Sequence, residues 1–511
     1  MTVLLIFTIL YAAILLALGA YFFGKVRTQN EFCIGARNLK PSEIGFFGQL
    51  SELGLFFMVL IPSYVYLNGT GGAWMIMGLF IGTLLSWYLM SYRLMRYSLK
   101  FKNVYSLPAY YGRRFGQRSE KLEMTAAVFS IISELCITAL IVRILGGLLA
   151  DIFSINQYIL MAVIVLVVTA FVILGGFLAA GRMSIVSIVM IFAAFTAIFL
   201  VCFFLFKADD LIVAVMNSRV KGGVSKYLNL IYYKGKSITV SQIYNQLSWG
   251  IVIMGLPGLL SKYMTLDKAR TAKHGGRTAF LFTLITLFLA VVAGVVLRAF
   301  MYPAILKKHN YFMLISRTIN RLNSMSTVYK IAGGVVLAGL IAGLVIMMIS
   351  RMITLSSVCY LEIVKPYILK KKRIKKNLLA LRITMAVMAV IITLLSFINV
   401  DPFRFIEFML MLTAVFFGPA TFMSIYFRKM NKSGALAGML SALFTTVIWE
   451  FLRVIPKGGE MLTLHDYLGM NCVAAAVVIS VIFIIIVSCV TKKVAEDVKL
   501  SFDDVKNRII T

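Results

Sequence analysis

Histidine, cysteine and acid are the shortages of this chain. Its 511 residues hold three histidines (His274, His309 and His465), all outside the long apolar runs, and no nucleophile elbow, P-loop or zinc-ligand spacing. An enzyme is therefore not expected, and neither a cofactor nor ATP-driven pumping has a motif behind it. The six cysteines (Cys33, Cys136, Cys202, Cys359, Cys472 and Cys489) are scattered without paired spacing, which argues against disulfides and metal alike. Acidic residues number 20 against 51 Lys and Arg, a formal net charge of +31. No nucleic-acid partner is inferred from that excess, because the cations sit in short clusters between apolar runs.

What the chain has instead is hydrophobicity of hydrocarbon length. With 61% hydrophobic and 14% charged residues it reads as an all-α polytopic membrane protein, with membrane lipid around it. Thirteen spans are expected, near 3–23, 43–68, 72–96, 123–150, 156–180, 184–206, 242–262, 278–302, 330–364, 378–398, 403–427, 434–451 and 470–491. The ninth is long enough that it must tilt or project. The run from Val3 to Phe23 has no preceding cation and no small-residue cleavage site after it, so it reads as a retained first helix. With the N-terminus outside and the C-terminus cytoplasmic, the inner connections carry 29 Lys and Arg against 12 on the outer ones, which sets that orientation. The long outer connections 207–241 and 303–329 are expected to form surface helices or lids. The inner stretch Ser98–Glu123 fits either an amphipathic segment in the headgroup plane or an ordinary charged loop.

Span two carries Gly45, Gly48, Gly54 and Pro62, and span seven runs Trp249-Gly250-Ile251-Val252-Ile253-Met254-Gly255-Leu256-Pro257-Gly258. Both look breakable, and they stand five spans apart. An odd offset makes the second unit enter the membrane from the opposite side, an inverted repeat with broken helices facing each other near the midplane. The division is then 1–42 (leading helix and inner loop), 43–206 (first repeat), 207–241 (outer loop), 242–427 (second repeat), 428–491 (two trailing helices) and 492–511 (a short cytoplasmic tail). The bland reading of any one glycine is close helix packing.

Carboxylates inside apolar runs are functional-site candidates. Glu52, within Ser51-Glu52-Leu53-Gly54, is the first of these. Glu134 and Arg143 share span four at a spacing of nine, half a turn out of phase, so each needs a partner on another helix. For Glu134 the candidates are Arg182 and Arg351; Arg143 is expected to reach the outer interface.

The series Cys33-Ile34-Gly35-Ala36-Arg37-Asn38-Leu39, Ser51-Glu52, Pro62, Trp74, Ser106-Leu107-Pro108-Ala109-Tyr110-Tyr111, Gly175-Gly176-Phe177-Leu178-Ala179 and Gly255-Leu256-Pro257 with Ser261-Lys262-Tyr263 resembles the sodium:solute symporter family, its sodium/proline branch most. The resemblance spans roughly residues 1–430 and implies a five-plus-five inverted-repeat symporter with one leading and two trailing helices. It also implies a small organic solute, such as proline or another amino acid, and sodium as coupling ion. Half-helix amides near Gly54 and Gly255 would hold the solute's carboxylate. Trp249 stands where the branch has a tryptophan, and Glu52 where it has an aspartate.

The departures fall on the sodium site. Ile346 and Met347 stand where the family usually places hydroxyl residues, and Ser184 where members often carry an aspartate. Sodium is a hard cation that needs oxygen, which Ile346 and Met347 do not offer. Arg351, one turn beyond, is positioned to supply a fixed charge to Glu52 in place of sodium, or else to snorkel to the inner interface. In the first case transport is uncoupled from sodium, or coupled to a proton on Glu52 or Glu134. A solute sensor without net flux is the competing class, although residues 491–511 are too short for a signalling domain.

Overall fold

The computed structural model describes residues 1–101, 104–116, 119–206, 223–302, 306, 311–369, 377–457, 460–491 and 494–507. Among them, eleven helices are long and apolar enough to cross a membrane, and the bent pair Val240–Gly255 and Pro257–Tyr263 makes a twelfth. The expected fifth and sixth spans form one helical element, Gln157–Leu205, of 49 residues. Run straight it would measure roughly 74 Å, more than twice the hydrocarbon thickness. It turns instead at Gly176, whose φ of 53° and ψ of −151° suit a residue without Cβ. The turn thus falls before the expected connection at 181–183, because Arg182 is helical and pairs with Glu43.

Spans two (Pro41–Asn68) and nine (Thr327–Ile368) form the centre. Of their most apolar stretches 94% and 83% are buried, against 22% for span one (Thr2–Phe23), which faces outward from the bundle. Contrary to expectation, span two is unbroken. Its helix Pro41–Leu55 passes through a π-turn, Phe56–Leu60, into Ile61–Asn68. The wider turn immediately before Pro62 accommodates the ring and its missing N–H, so the helix continues where a proline would otherwise kink it. Span seven does break: Leu256 is extended (φ −68°, ψ 123°), and the helix resumes at Pro257 with a bend of 44°.

The connections are packed elements. Of 207–241, residues 207–222 lie outside the described residues. The remainder folds over the end of span two, with Tyr227 Oη donating to Val65 O at 3.0 Å and Trp74 Nε1 to Leu230 O at 3.0 Å. In 303–329, residues 303–305 and 307–310 likewise lie outside. The helix Leu314–Asn323 is anchored to span four through Asp151, which accepts from Ser316 Oγ and pairs with Arg317, both at 2.8 Å. Within Ser98–Glu123, of which 102–103 and 117–118 are outside the description, the helix Leu107–Arg114 turns Tyr110 and Tyr111 inward to Ser424 (2.8 Å) and Thr421 (2.6 Å). Those rings are fully buried, so the headgroup-plane reading is corrected: their hydroxyls find partners inside the protein.

The tail forms a helix, Glu496–Asn507, whose Val498, Phe502 and Val505 are buried. It is held by Arg96 Nη1 donating to Val505 O (2.5 Å), by Lys100–Asp504 (2.8 Å) and by Arg428–Asp503 (2.6 Å). The hydrogen bond from Arg428 holds the Asp503 carboxyl below its usual range. The pair's contribution is therefore complete above the unfolded-state value and is lost as pH falls through the lowered native one. Hydrogen exchange of Glu496–Asn507 should thus show the helix docked from about pH 7 to about pH 5, with Asp503→Asn loosening it already at neutral pH. Equal protection in wild type and variant at neutral pH would contradict this role.

Candidate functional site

Spans two and nine meet at Gly54 and Gly343. A Cβ built on Gly54 would stand 2.0 Å from Gly343 O, so only a glycine permits the approach. From that crossing one face of span nine presents Gly343, Met347 and Arg351 at four-residue spacing. Met347 Sδ accepts the backbone N–H of Leu55 at 3.0 Å, at the edge of the π-turn. Arg351 then bridges two carboxylates, with Nη2 donating to Glu52 Oε2 at 2.7 Å and Nη1 to Glu134 Oε2 at 2.9 Å. Both glutamates are fully buried and Arg351 is 1% exposed, so it does not snorkel.

A fourth charge completes the arrangement. Lys262, on the second half of span seven, donates from Nζ to Gly258 O at 2.9 Å and to Ser350 Oγ at 2.7 Å, and is 1% exposed. Gly258 makes room for Glu52, since a Cβ there would lie 1.9 Å from Oε1. Two glutamates, one arginine and one lysine sum to zero, and that balance matters where each unpaired ion costs several kcal/mol. Lys262 and Ser350 escaped the sequence reading because Lys262 closes an expected span and counted among the inner cations. The signal was there: it lies one residue inside an apolar run that also has a proline break.

The remaining candidates divide. Glu52, Gly54, Glu134, Met347 and Arg351 are brought together. Ile346 is fully buried and offers no oxygen, and Leu53 is 1% exposed. The hydroxyls of Ser51 and Ser184 each donate within their own helices, to Gly48 O (2.8 Å) and Gly181 O (2.6 Å). Trp249 stands edge-on to Phe56, ring centroids 5.0 Å apart, on the π-turn of span two. Gly54 is corrected as a half-helix end: it sits inside the helix Pro41–Leu55, which runs on into the π-turn, and the N–H of the next residue, Leu55, goes to Met347 Sδ. Gly255 does end a half-helix, but a Cβ there would fall 2.2 Å from Ala414 O, so it serves a helix crossing as well. Arg182 pairs with Glu43, leaving Arg351 as the partner of Glu134. Arg143 caps the end of span ten, donating to Ser396 O (3.3 Å), Val400 O (3.2 Å) and Asn399 Oδ1 (2.5 Å).

A hard cation needs several oxygens at roughly 2.3–2.6 Å. Here a guanidinium lies between the two carboxylates, with a thioether and an isoleucine beside it. Among the described residues no group of three or more His, Cys, Asp or Glu is placed to hold a metal ion. The donor set does not fit sodium at this position.

Residues 32–442 match the model of the sodium:solute symporter family. The chain is 24% identical over 493 residues to the osmoregulated proline transporter OpuE of Bacillus subtilis, covering 95% of this chain and 94% of that one. It is 24% identical over 515 residues to a sodium/proline symporter of Haemophilus influenzae, covering 98% and 97%. Its fold is similar to that of a Na+-coupled sialic acid symporter solved in a substrate-bound outward-open state, with a TM-score of 0.73 and 15% identity over 96% of this chain and 98% of that one. That likeness bears on the fold, an inverted-repeat transporter core.

Proposed function

The chain belongs to the sodium:solute symporter family, and on that premise we propose that it carries a small organic solute of the amino-acid class, proline first among them, without taking sodium along. Its family makes it a secondary transporter for small solutes. The observation that supports the sodium-free reading is the position of Arg351 between Glu52 and Glu134. A tethered cation does what a bound one would do there: it neutralises the carboxylates and ties spans two, four and nine together. It returns with the protein in every cycle, so no ion gradient is drawn upon. Solute binding then shifts an equilibrium between conformations and adds no drive of its own. The names of the relatives supply proline as the first solute to test. The cation bias of the connections supports an N-terminus outside and a C-terminus in the cytoplasm.

Proton coupling is a second reading with one observation in its favour. Glu52 Oε1 and Glu134 Oε1 are buried and have no hydrogen-bond partner among the described residues, so each is a place for a proton.

The test is uptake of a labelled amino-acid panel into proteoliposomes under imposed sodium or proton gradients, with Glu52→Gln alongside wild type. Proline is expected to equilibrate at a rate that ignores sodium. Sodium-driven accumulation by wild type would defeat the proposal. Accumulation driven by protons and abolished in Glu52→Gln would establish the second reading, and binding without flux would identify a sensor.

A further inference from the structure

Span eight, the helix Ala269–Met301, starts with a polar segment before its apolar run, and its surface is two-sided from the first turn. Ala272, Gly275 and Ala279 are buried, and a Cβ on Gly275 would stand 3.1 Å from Pro41 O and 3.2 Å from the Trp87 ring. Arg270, Lys273, His274 and Arg277 are exposed. At the pitch of an α-helix the three cations among them fall within about 60° of one another. Further along, the exposed residues are Leu281, Leu284, Ile285 and Phe288, each 41% to 64% accessible. They continue the same face, so a band of cations runs directly into a band of exposed apolar side chains. From Arg277 to Phe288 the helix rises about 16 Å, roughly one leaflet of hydrocarbon.

Other cations at this end of the bundle are held by the protein. Arg93 donates to Ile425 O, Arg96 to Val505 O and Arg37 to Leu266 O, while Arg182 and Arg428 pair with Glu43 and Asp503. Arg270, Lys273 and Arg277 have neither an ion pair nor a side-chain hydrogen bond among the described residues. Asp267, the nearest acid in the sequence, exerts its charge on Arg37. Like charges three and four residues apart on a helix repel, and here no side chain offsets them. We propose that this face of span eight binds anionic phospholipid, with headgroup phosphates against Arg270, Lys273 and Arg277 and acyl chains along Leu281, Leu284, Ile285 and Phe288. The two guanidinium forks suit phosphate oxygens, and cations close to a membrane surface attract anionic lipid. A free anion needs only the cations; the apolar continuation of the face is what selects a lipid. The site stands on this face alone and is independent of the solute or ion carried.

The test is retention of lipid by the purified full-length protein from an equimolar mixture of phosphatidylglycerol and phosphatidylcholine, counted by mass spectrometry of the intact complex. One cation near an anionic surface is worth about fivefold, so wild type should retain phosphatidylglycerol in about tenfold excess or more. Arg270→Gln/Lys273→Gln/Arg277→Gln should lower that preference at least about fivefold, and Arg270→Lys/Arg277→Lys, which keeps the charge, should preserve most of it. Lys429→Gln/Lys432→Gln removes two exposed cations at the same end of the bundle and should leave the preference unchanged. Inorganic phosphate at the concentration of the lipid should not displace phosphatidylglycerol. All these side chains are exposed, so the variants should unfold at the wild-type temperature in phosphatidylcholine. Equal retention of the two lipids by wild type, an undiminished preference in the triple variant, or an equal loss in Lys429→Gln/Lys432→Gln would overturn the site. Displacement by inorganic phosphate would overturn its assignment to a lipid.

Discussion

Replacing Arg351 with methionine is expected to destabilise the folded protein by about 3–5 kcal/mol. Methionine is of similar volume, so most of the packing along the stem is kept. What changes is that Glu52 and Glu134, both fully buried, lose the guanidinium that meets them at 2.7 and 2.9 Å. Lys262 then faces two carboxylates alone, from a position already occupied by Gly258 O and Ser350 Oγ. Arg351→Met/Glu134→Gln tests whether charge is the cause. It leaves Glu52 against Lys262, restores the sum to zero, and should recover most of the loss even though it removes a further native group. Thermal unfolding in detergent, followed by tryptophan fluorescence, compares the three proteins. A single variant as stable as wild type, or a double variant weaker than the single, would show that the cluster is not held by charge balance.

The second large effect is expected from one methyl group. In Gly54→Ala the new Cβ would lie 2.0 Å from Gly343 O and 2.8 Å from its carbonyl carbon, and both are backbone atoms that cannot rotate away. Spans two and nine must separate, at about 1–3 kcal/mol for an overpacked core. The functional loss should be larger than that figure suggests, because the same two helices carry Glu52 and Arg351 on their facing surfaces. Gly147→Ala in span four is the control, since a Cβ there meets nothing within 4 Å. It should be neutral or slightly stabilising through reduced freedom of the unfolded chain. Proline flux and unfolding temperature measured together decide the matter: if the two variants behave alike, the crossing does not set the site.

These two residues also show how far the sequence could be read. Glu52 and Arg351 stood out because charge in an apolar run has few explanations. The spans were legible for the same reason, since length and hydropathy are local properties. Proline was a poorer guide. Pro257 breaks its helix, whereas Pro62 does not, because the π-turn at Phe56–Leu60 takes up the missing donor, and nothing local in the sequence announces a π-turn. The turn at Gly176 was displaced by reading Arg182 as a loop cation, although its partner Glu43 is 139 residues away. Lys262 was hidden by its place at a span's end. Its role depends on Ser350 and Gly258, and long-range pairing of this kind is decided by packing.

The neutrality of the four-charge cluster has an energetic corollary for the cell. One elementary charge crossing a membrane gains or loses about 2.3 kcal/mol per 100 mV, and a carrier that moves sodium with its solute can turn that voltage into a concentration ratio. In the sodium-free cycle proposed above, with Arg351 as the fixed cation and a zwitterion as passenger, no net charge would cross in either direction. Voltage can do no work on such a cycle. A carrier that works in this way would equalise concentrations instead of building them, and would run outward as readily as inward whenever the inside is the richer side.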